Sequence, residues 1–342
     1  MSQPLLTIVV PTYNRSHCLR TLLSALTAEL AGLQGRVAVI LGDNASGDDT
    51  PALTAAFAAG WSGTQVLRHE RNLGPDENFC RCVEQVRSPY FWIIGDDDIP
   101  RTGLVAALLT LLDQSSPDLV YLNSHWSERL PDGAMHGRLN APLNAVCMNR
   151  LAFARRVHVW TSFISGCVVR RSLAPDASLR RFASTNLVQL GWVLEALRQG
   201  ERFLHVQDHS IYATASNTGG YSVLKVFGQN FQRISREIFA ADPASRRIGE
   251  AIVHRSAIAF LPDLVWGFRK ARLGSFDRNE SVATALTPEL GRSLTYRFII
   301  LPIERLPEWP ARLVLKSAHG LARTFGLFDQ LRARLSGTIG RL

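Results

Sequence analysis

The chain has 342 residues, 46% hydrophobic and 20% charged, which is enough apolar material to bury a core in one large domain or two ordinary ones. Its net charge of +9 is uneven: from residue 240 onward 16 Arg and Lys face 9 Asp and Glu, while the part before it is close to neutral. Five cysteines, odd in number and without a Cys-x-x-Cys pair, exclude a disulfide framework and a zinc knuckle, and no run reaches the roughly 18 apolar residues of a spanning helix.

The first 125 residues alternate between strand and helix patterns. A short β-branched run over 5–10 predicts a strand, and Ser16 would cap the helix that follows, with its apolar face at Leu19, Leu22, Leu23 and Leu26. Strands are expected over 36–41, 64–67, 90–94 and 119–122. The helices between them start near Thr50 and cover 76–86 and 103–112. Such alternation predicts a mainly parallel sheet between helices, and these sheets bind ligands beyond the carboxyl ends of their strands.

From 126 to 220 the pattern is less regular. Pro131-Asp132-Gly133 reads as a turn, 157–170 as containing extended stretches, and 188–198 as an amphipathic helix closed by Gly200. Beyond 220 the chain reads as mainly helical, broken by prolines. The expected organisation is an α/β domain over 1–220, with a regular part (1–125) and a less regular one (126–220), and a basic helical region over 221–342. The N-terminus lacks the pattern of a secretory signal, so the expected location is the cytoplasm or the inner face of its membrane.

Polar residues collect at the predicted strand ends: Thr12, Tyr13 and Asn14 after the first, Asp43 and Asn44 after the second, Asp96, Asp97 and Asp98 after the fourth. Three consecutive carboxylates repel one another unless a cation neutralises them, and Mg²⁺ characteristically shares one or two carboxylates with substrate phosphates. An acidic turn that caps the next helix is the plainer alternative. Asp48 or Asp49 is expected to cap the helix at Thr50. Asp43 stands where a carboxylate could accept from a nucleobase, and Tyr13 offers a ring for stacking. No Gly-x-Gly-x-x-Gly follows the first strand, which excludes a dinucleotide-binding hydride-transfer enzyme.

Four motifs in register carry a resemblance: Thr7-Ile-Val-Val-Pro-Thr-Tyr-Asn-Arg15, Asp43-Asn-Ala-Ser-Gly-Asp-Asp-Thr50, Arg71-Asn-Leu-Gly74 and Gly95-Asp-Asp-Asp98. Together they resemble family 2 glycosyltransferases of the GT-A fold, and the last is most similar to abequosyltransferase-like enzymes of O-antigen assembly. The resemblance implies transfer of a sugar from a nucleoside-diphosphate donor to a saccharide acceptor, a lipid-linked one of surface polysaccharide synthesis. It makes 1–220 the catalytic domain, with a nucleotide-sugar half over 1–125 and an acceptor half over 126–220. It implies that Pro11, Thr12, Tyr13, Asp43, Arg71 and Asp96 line the donor pocket. Asp97 and Asp98 would hold a divalent cation, Mg²⁺ or Mn²⁺, that acts as a Lewis acid on the leaving diphosphate.

Two departures from the family pattern stand out. Gly95 replaces a carboxylate that many relatives carry. Gln189 occupies the neighbourhood where an Asp base usually precedes the helix near 190; Asp176, Glu195, Asp208 and His209 are the remaining candidates. With Gln189 in that place, a non-catalytic nucleotide-sugar-binding relative is the alternative reading. Asn217-Thr-Gly-Gly-Tyr221 could fold over a diphosphate or simply connect. The basic, aromatic segments 260–272 and 313–335 suit either an anionic membrane surface or packing on the catalytic domain. Nucleic acid is a remote alternative suggested by charge alone, without an RNA- or DNA-binding signature, so no nucleic-acid partner is expected.

Overall fold

The computed structural model describes residues 3–127, 137–214, 220–270, 281–335 and 339–341, with side chains as far as Leu327. The turn expected at 131–133 lies outside them, as do most of the 217–221 loop and parts of the 260–272 and 313–335 segments.

Strand β1 (Leu6–Thr12) is buried along its whole length, as a strand covered on both faces must be. It pairs in parallel with β2 (Val37–Asp43) on one side and β4 (Tyr90–Ile93) on the other, and β3 (Thr64–Arg68) extends the parallel half beyond β2. On the other side the sheet turns mixed. Short β5 (Ile99–Pro100) precedes β6 (Leu119–Ser127), β7 (Ala145–Met148), β8 (Cys167–Arg170), β9 (Phe203–Thr214) and β10 (Ile339–Arg341). The order is β10-β7-β9-β6-β8-β4-β1-β2-β3, with β5 paired antiparallel to β9.

Helices α1 (Ser16–Leu30), α2 (Thr50–Gly60), α3 (Pro75–Glu84), α4 (Leu104–Ser115) and α6 (Val188–Gln199) flank this sheet; α5 (Arg150–Val157) precedes β8. Leu19, Leu22, Leu26 and Leu30 repeat at helical spacing on α1 and are all buried in the sheet's core. Each such leucine contributes about 1.5–3 kcal/mol by leaving water.

Ser16 does not cap α1 with its side chain. It is the first helical residue, and its N–H donates to Asp48 Oδ2 at 2.8 Å, a carboxylate from the next loop. Asp48 Oδ1 also accepts from Thr50 N at 3.0 Å, so one side chain closes the starts of two helices. At α4 the acidic turn caps nothing. Glu29 of α1 accepts from Gly103 N at 2.6 Å and Val105 N at 3.0 Å instead. The 157–170 segment, expected to contain extended stretches, does so in β8, which two 3₁₀ turns, His158–Ser162 and Ile164–Gly166, precede.

The chain divides into two compact units. The first comprises Met1–Met148, Phe163–Ala215 and Gly340–Leu342; the second comprises Asn149–Ser162 and Ser216–Ile339. The second unit is helical: α5, a π-helical segment at Leu224–Asn230, α7 (Phe231–Ile238), α8 (Pro243–Ala259), α9 (Leu261–Arg269), α10 (Val282–Leu290), a π-helical turn at Tyr296–Ile300, α11 (Leu301–Arg305) and α12 (Glu308–Leu335). It has its own core, with Leu224, Val265, Leu286 and Ile300 among its buried members. Gly228 lets the π-helical segment close on α10, since a Cβ there would lie 2.0 Å from Leu286 Cδ2.

Candidate functional site

The carboxyl ends of β1, β2 and β4 meet, and backbone and side-chain hydrogen bonds tie their loops together. Thr12 and Asp43 are register partners at the ends of β1 and β2, and Asn44 N donates to Thr12 O at 3.0 Å. Asn14 N donates to Ser46 Oγ at 2.9 Å, and Gly47 N returns a bond to Asn14 Oδ1 at 2.8 Å. Both loops turn through left-handed residues, Asn14 at φ 52° and Ala45 at φ 64°. For an alanine this is an uncommon conformation, held here by the surrounding bonds.

A third loop joins through Asn44, whose Nδ2 donates to Asn72 Oδ1 at 2.8 Å and whose Oδ1 accepts from Leu73 N at 2.9 Å. Arg71, at the start of that loop, is exposed; Pro11 is buried, and Tyr13 is 41% exposed.

Asp43 is fully buried. Its Oδ1 accepts from Ser46 N at 2.9 Å, but Oδ2 has no hydrogen-bond partner. Arg68 Nε stands 3.6 Å from Oδ2, close enough to balance charge and too far to donate. Leaving a buried acceptor unmade costs about 1–3 kcal/mol, so this oxygen is a ready acceptor for a ligand N–H. A surface depression lined by Ala45, Arg68, His69 and Glu70 opens on the Arg68 side.

The acidic turn after β4 is bound to β1 and to the loop before β8. Thr12 Oγ1 donates to Asp96 Oδ2 at 2.7 Å. Arg15 bridges two carboxylates, with Nη1 2.8 Å from Asp96 Oδ1 and Nη2 2.6 Å from Asp97 Oδ2. Asp98 is buried; its Oδ2 accepts from the Ser165 hydroxyl, which itself accepts from Gly95 N at 2.8 Å. Burial pushes Asp96 up to about 6, against the pull of Arg15 and the Thr12 bond. Burial, reinforced by the neighbouring Asp97 charge, pushes Asp98 up to about 7.

Gly95 is explained by this geometry. A Cβ there would stand 3.0 Å from Asp97 Oδ1 and 3.1 Å from Asp98 Oδ2, so two carboxylate oxygens occupy the space a side chain would need. Among the described residues no three His, Cys, Asp or Glu side chains form a ready-made metal cage. The donor set fits an ion of the other kind, one that takes one or two carboxylates and completes its shell with phosphate and water. Asp97 Oδ1 lies outside the Arg15 pair, and Asp98 Oδ2 points at the same spot.

The catalytic-base candidates are held elsewhere. Asp176 is exposed and pairs with Arg171. Glu195 is buried in α6, held by Arg181 at 3.1 Å, Arg198 at 2.7 Å and Gln199 at 3.1 Å. Asp208 Oδ2 accepts from Asn144 N at 2.8 Å, and the ring of His209 lies 5.7 Å from that of His125. Gln189 is buried in the first turn of α6. The carboxylate that does stand at the start of α6 comes from α3: Asp76 accepts from Thr185 N and Asn186 N at 2.9 Å and from Val188 N at 3.4 Å.

Residues that sequence reasoning missed surround the acidic turn. Thr214 donates its hydroxyl to Asp97 O at 2.9 Å, and its register partner on β6 is Ser127. Next to Ser127, Trp126 is 41% exposed and packs on Phe163 with ring centroids 4.8 Å apart. Phe163 lies two residues before the Ser165 that holds Asp98. Trp126 lies past the strand expected over 119–122, and nothing in the sequence signalled it.

A mixed sheet flanked by helices, with polar residues of three adjacent strand ends gathered at one edge, is the GT-A architecture. S. aureus TarS 1-349 in complex with UDP-GlcNAc superposes with a TM-score of 0.61 at 15% identity, over 99% of this chain and 93% of that one. The mannosyltransferase PcManGT from Pyrobaculum calidifontis, in complex with GDP-Man and Mn²⁺, gives 0.53 at 14% identity, over 96% and 88%. Residues 7–175 match the profile of glycosyl transferase family 2. It is 32% identical over 114 residues to the abequosyltransferase RfbV of Salmonella typhimurium, 33% of this chain and 34% of that protein. A Mycobacterium tuberculosis protein, MT1568, is 25% identical over 59% of this chain and 65% of its own length. The chain thus spans less than two thirds of either of these relatives.

Proposed function

We propose that the chain is a nucleotide-sugar-dependent glycosyltransferase, moving a sugar from a nucleoside-diphosphate donor to a saccharide acceptor. The observation that carries this reading is the unsatisfied Asp43 Oδ2, buried one strand away from the Asp96–Asp98 turn. Asp43 accepts from the base edge while Tyr13 supplies a face for stacking. Pro11 and Thr12 form the floor, and Arg71 attends the diphosphate from the rim. Asp97, with Asp98 fixed behind it by Ser165, would hold Mg²⁺ or Mn²⁺, which when bound offsets negative charge on the leaving diphosphate. We extend the proposal to a lipid-linked acceptor of surface polysaccharide synthesis at the cytoplasmic face; the likeness to an abequosyltransferase supports only the sugar-transfer part of it. Trp126 gives that acceptor an apolar platform beside the acidic turn.

Calorimetric titration of UDP, GDP, CDP and dTDP with and without Mn²⁺ tests the donor site. One diphosphate is expected to bind with metal dependence, and Asp97→Ala to remove that dependence. Equal affinity in the variant rejects the assignment. For the acceptor, Trp126→Ala should raise the KM for acceptor about tenfold, the worth of one good aromatic contact, with donor affinity unchanged.

The buried ion-paired state of Glu195 and the Gln at 189 favour one second reading, a nucleotide-sugar-binding relative without transferase activity. It predicts donor binding with neither transfer nor donor hydrolysis.

A further inference from the structure

Helix α12 has two faces. Ala311, Leu315 and Ala318 are buried in the second unit. At about 100° per residue the opposite face carries Trp309, Leu313, Lys316, Gly320, Arg323 and Leu327 in one stripe. All six are exposed, Trp309 at 72%, Leu313 at 54% and Leu327 at 61%. Just before the helix, Leu294 and Phe298 are each 70% exposed, on a segment that shares its buried side, through Tyr296 and Ile300, with the core that holds Leu315. Of the ten large hydrophobic side chains exposed among the described residues, seven lie between 294 and 327. Scattered apolar residues are ordinary on a protein surface; a concentration of this kind marks an interaction face.

Charge identifies the occupant. Between residues 291 and 327 six Arg and Lys accompany two Glu. Arg312 pairs with Glu308 at 2.6 Å and Arg305 lies 3.9 Å from Glu304. Arg292, Arg297, Lys316 and Arg323 are exposed and have no carboxylate partner among the described residues. A stripe of Trp and Leu edged by unpaired cations is the composition of a helix that lies in a bilayer interface. A second copy of the chain meeting the same face about a two-fold axis would oppose these cations to themselves. A nucleic acid would use the cations and gain nothing from Leu313 or Leu327. No helix among the described residues is long and apolar enough to cross a membrane, so the contact is peripheral.

We propose that this face of α12, with the adjoining Leu294 and Phe298, docks on an anionic lipid bilayer. The apolar side chains enter the headgroup boundary and the four cations meet lipid phosphates. The proposal is independent of the transferase reading.

Flotation of the full chain with vesicles tests it. Vesicles of equal phosphatidylcholine and phosphatidylglycerol should carry the protein up the gradient, and pure phosphatidylcholine vesicles far less. Lys316→Gln and Arg323→Gln should each lower partitioning about fivefold, the effect of one cation at an anionic surface. Trp309→Ser with Leu313→Ser should abolish flotation while circular dichroism and nucleotide affinity stay unchanged, which separates lost docking from lost fold. Equal flotation of these variants and the native chain would overturn the proposal. So would self-association in light scattering that Trp309→Ser abolishes, with no flotation of the native chain, which would make a second copy the occupant. Salt-sensitive oligonucleotide binding without flotation would equally overturn it.

Discussion

Arg15 governs the electrostatics of the acidic turn. Its side chain is 28% exposed, and it bridges Asp96, 5% exposed, and Asp97, 18% exposed. Burial would lower the Arg15 pKa, yet the two carboxylates raise it further, so the guanidinium stays charged. Asp96 sits high even with this partner, at about 6. Arg15→Met therefore leaves a buried carboxylate without its counter-charge, and should cost about 3 kcal/mol in metal-free protein near pH 8. The sign of the pH dependence follows from linkage. A native carboxyl that titrates above the ordinary aspartate value takes up a proton that the unfolded chain has already released, so stability rises as pH falls through the folded value. Without Arg15 that value climbs above 6, and the deficit should narrow between about pH 8 and pH 5. Urea unfolding of both proteins across that range measures it; a deficit that widens on acidification rejects the account. The motif Pro-Thr-Tyr-Asn-Arg displayed Thr12, Tyr13 and Arg15 together in the sequence. The bridging role of Arg15 was hidden because its partners are 81 and 82 residues away.

Elements were legible where one chemical pattern decided them. The parallel strands and their helices follow the apolar periodicity, and their ends shift by only a few residues, as hydrogen bonding at frayed ends allows. β6 runs on to Ser127 although Asn123, Ser124 and His125 break its apolar run, because pairing with β9 resumes after a register shift between Leu122 and Ser124. Tertiary pairing overrides propensity there. The start of α6 shows the same limit. The helix itself follows the apolar periodicity over 188–198, but its cap was hidden: it is Asp76, more than a hundred residues earlier, whose carboxyl burial pushes above the usual range despite three backbone donors. Asp76→Ala would strand those N–H groups and should cost about 3 kcal/mol. Asp76→Asn, which keeps one accepting oxygen, should cost less. Denaturant midpoints at constant slope measure both, and variants as stable as the native chain would show that α6 holds its start without this bond.

At the scale of the molecule, the site exists because parallel strands deliver three loops to one edge. That much is predictable from strand–helix alternation, whereas Trp126, Ser165 and Thr214 reach the same edge from the mixed half of the sheet, which the sequence displays only loosely. On the proposed function, separate parts of one ligand fall to separate strands, and this separation can be measured. Asp43 should govern nucleoside affinity and Asp97 the metal-dependent diphosphate contribution. A free nucleoside should therefore lose affinity in Asp43→Asn and be indifferent to Mn²⁺ and to Asp97→Ala. The matching diphosphate should respond to all three. In unfolding experiments the diphosphate with Mn²⁺, at a hundredfold its dissociation constant, should stabilise the protein by about 2.7 kcal/mol. For a domain of this size that is a rise in Tm of roughly 5–10 °C. The nucleoside at the same saturation should do so without metal. A nucleoside whose affinity depends on Asp97, or a diphosphate untouched by Asp43→Asn, would mean that the strand ends of β2 and β4 do not share one ligand.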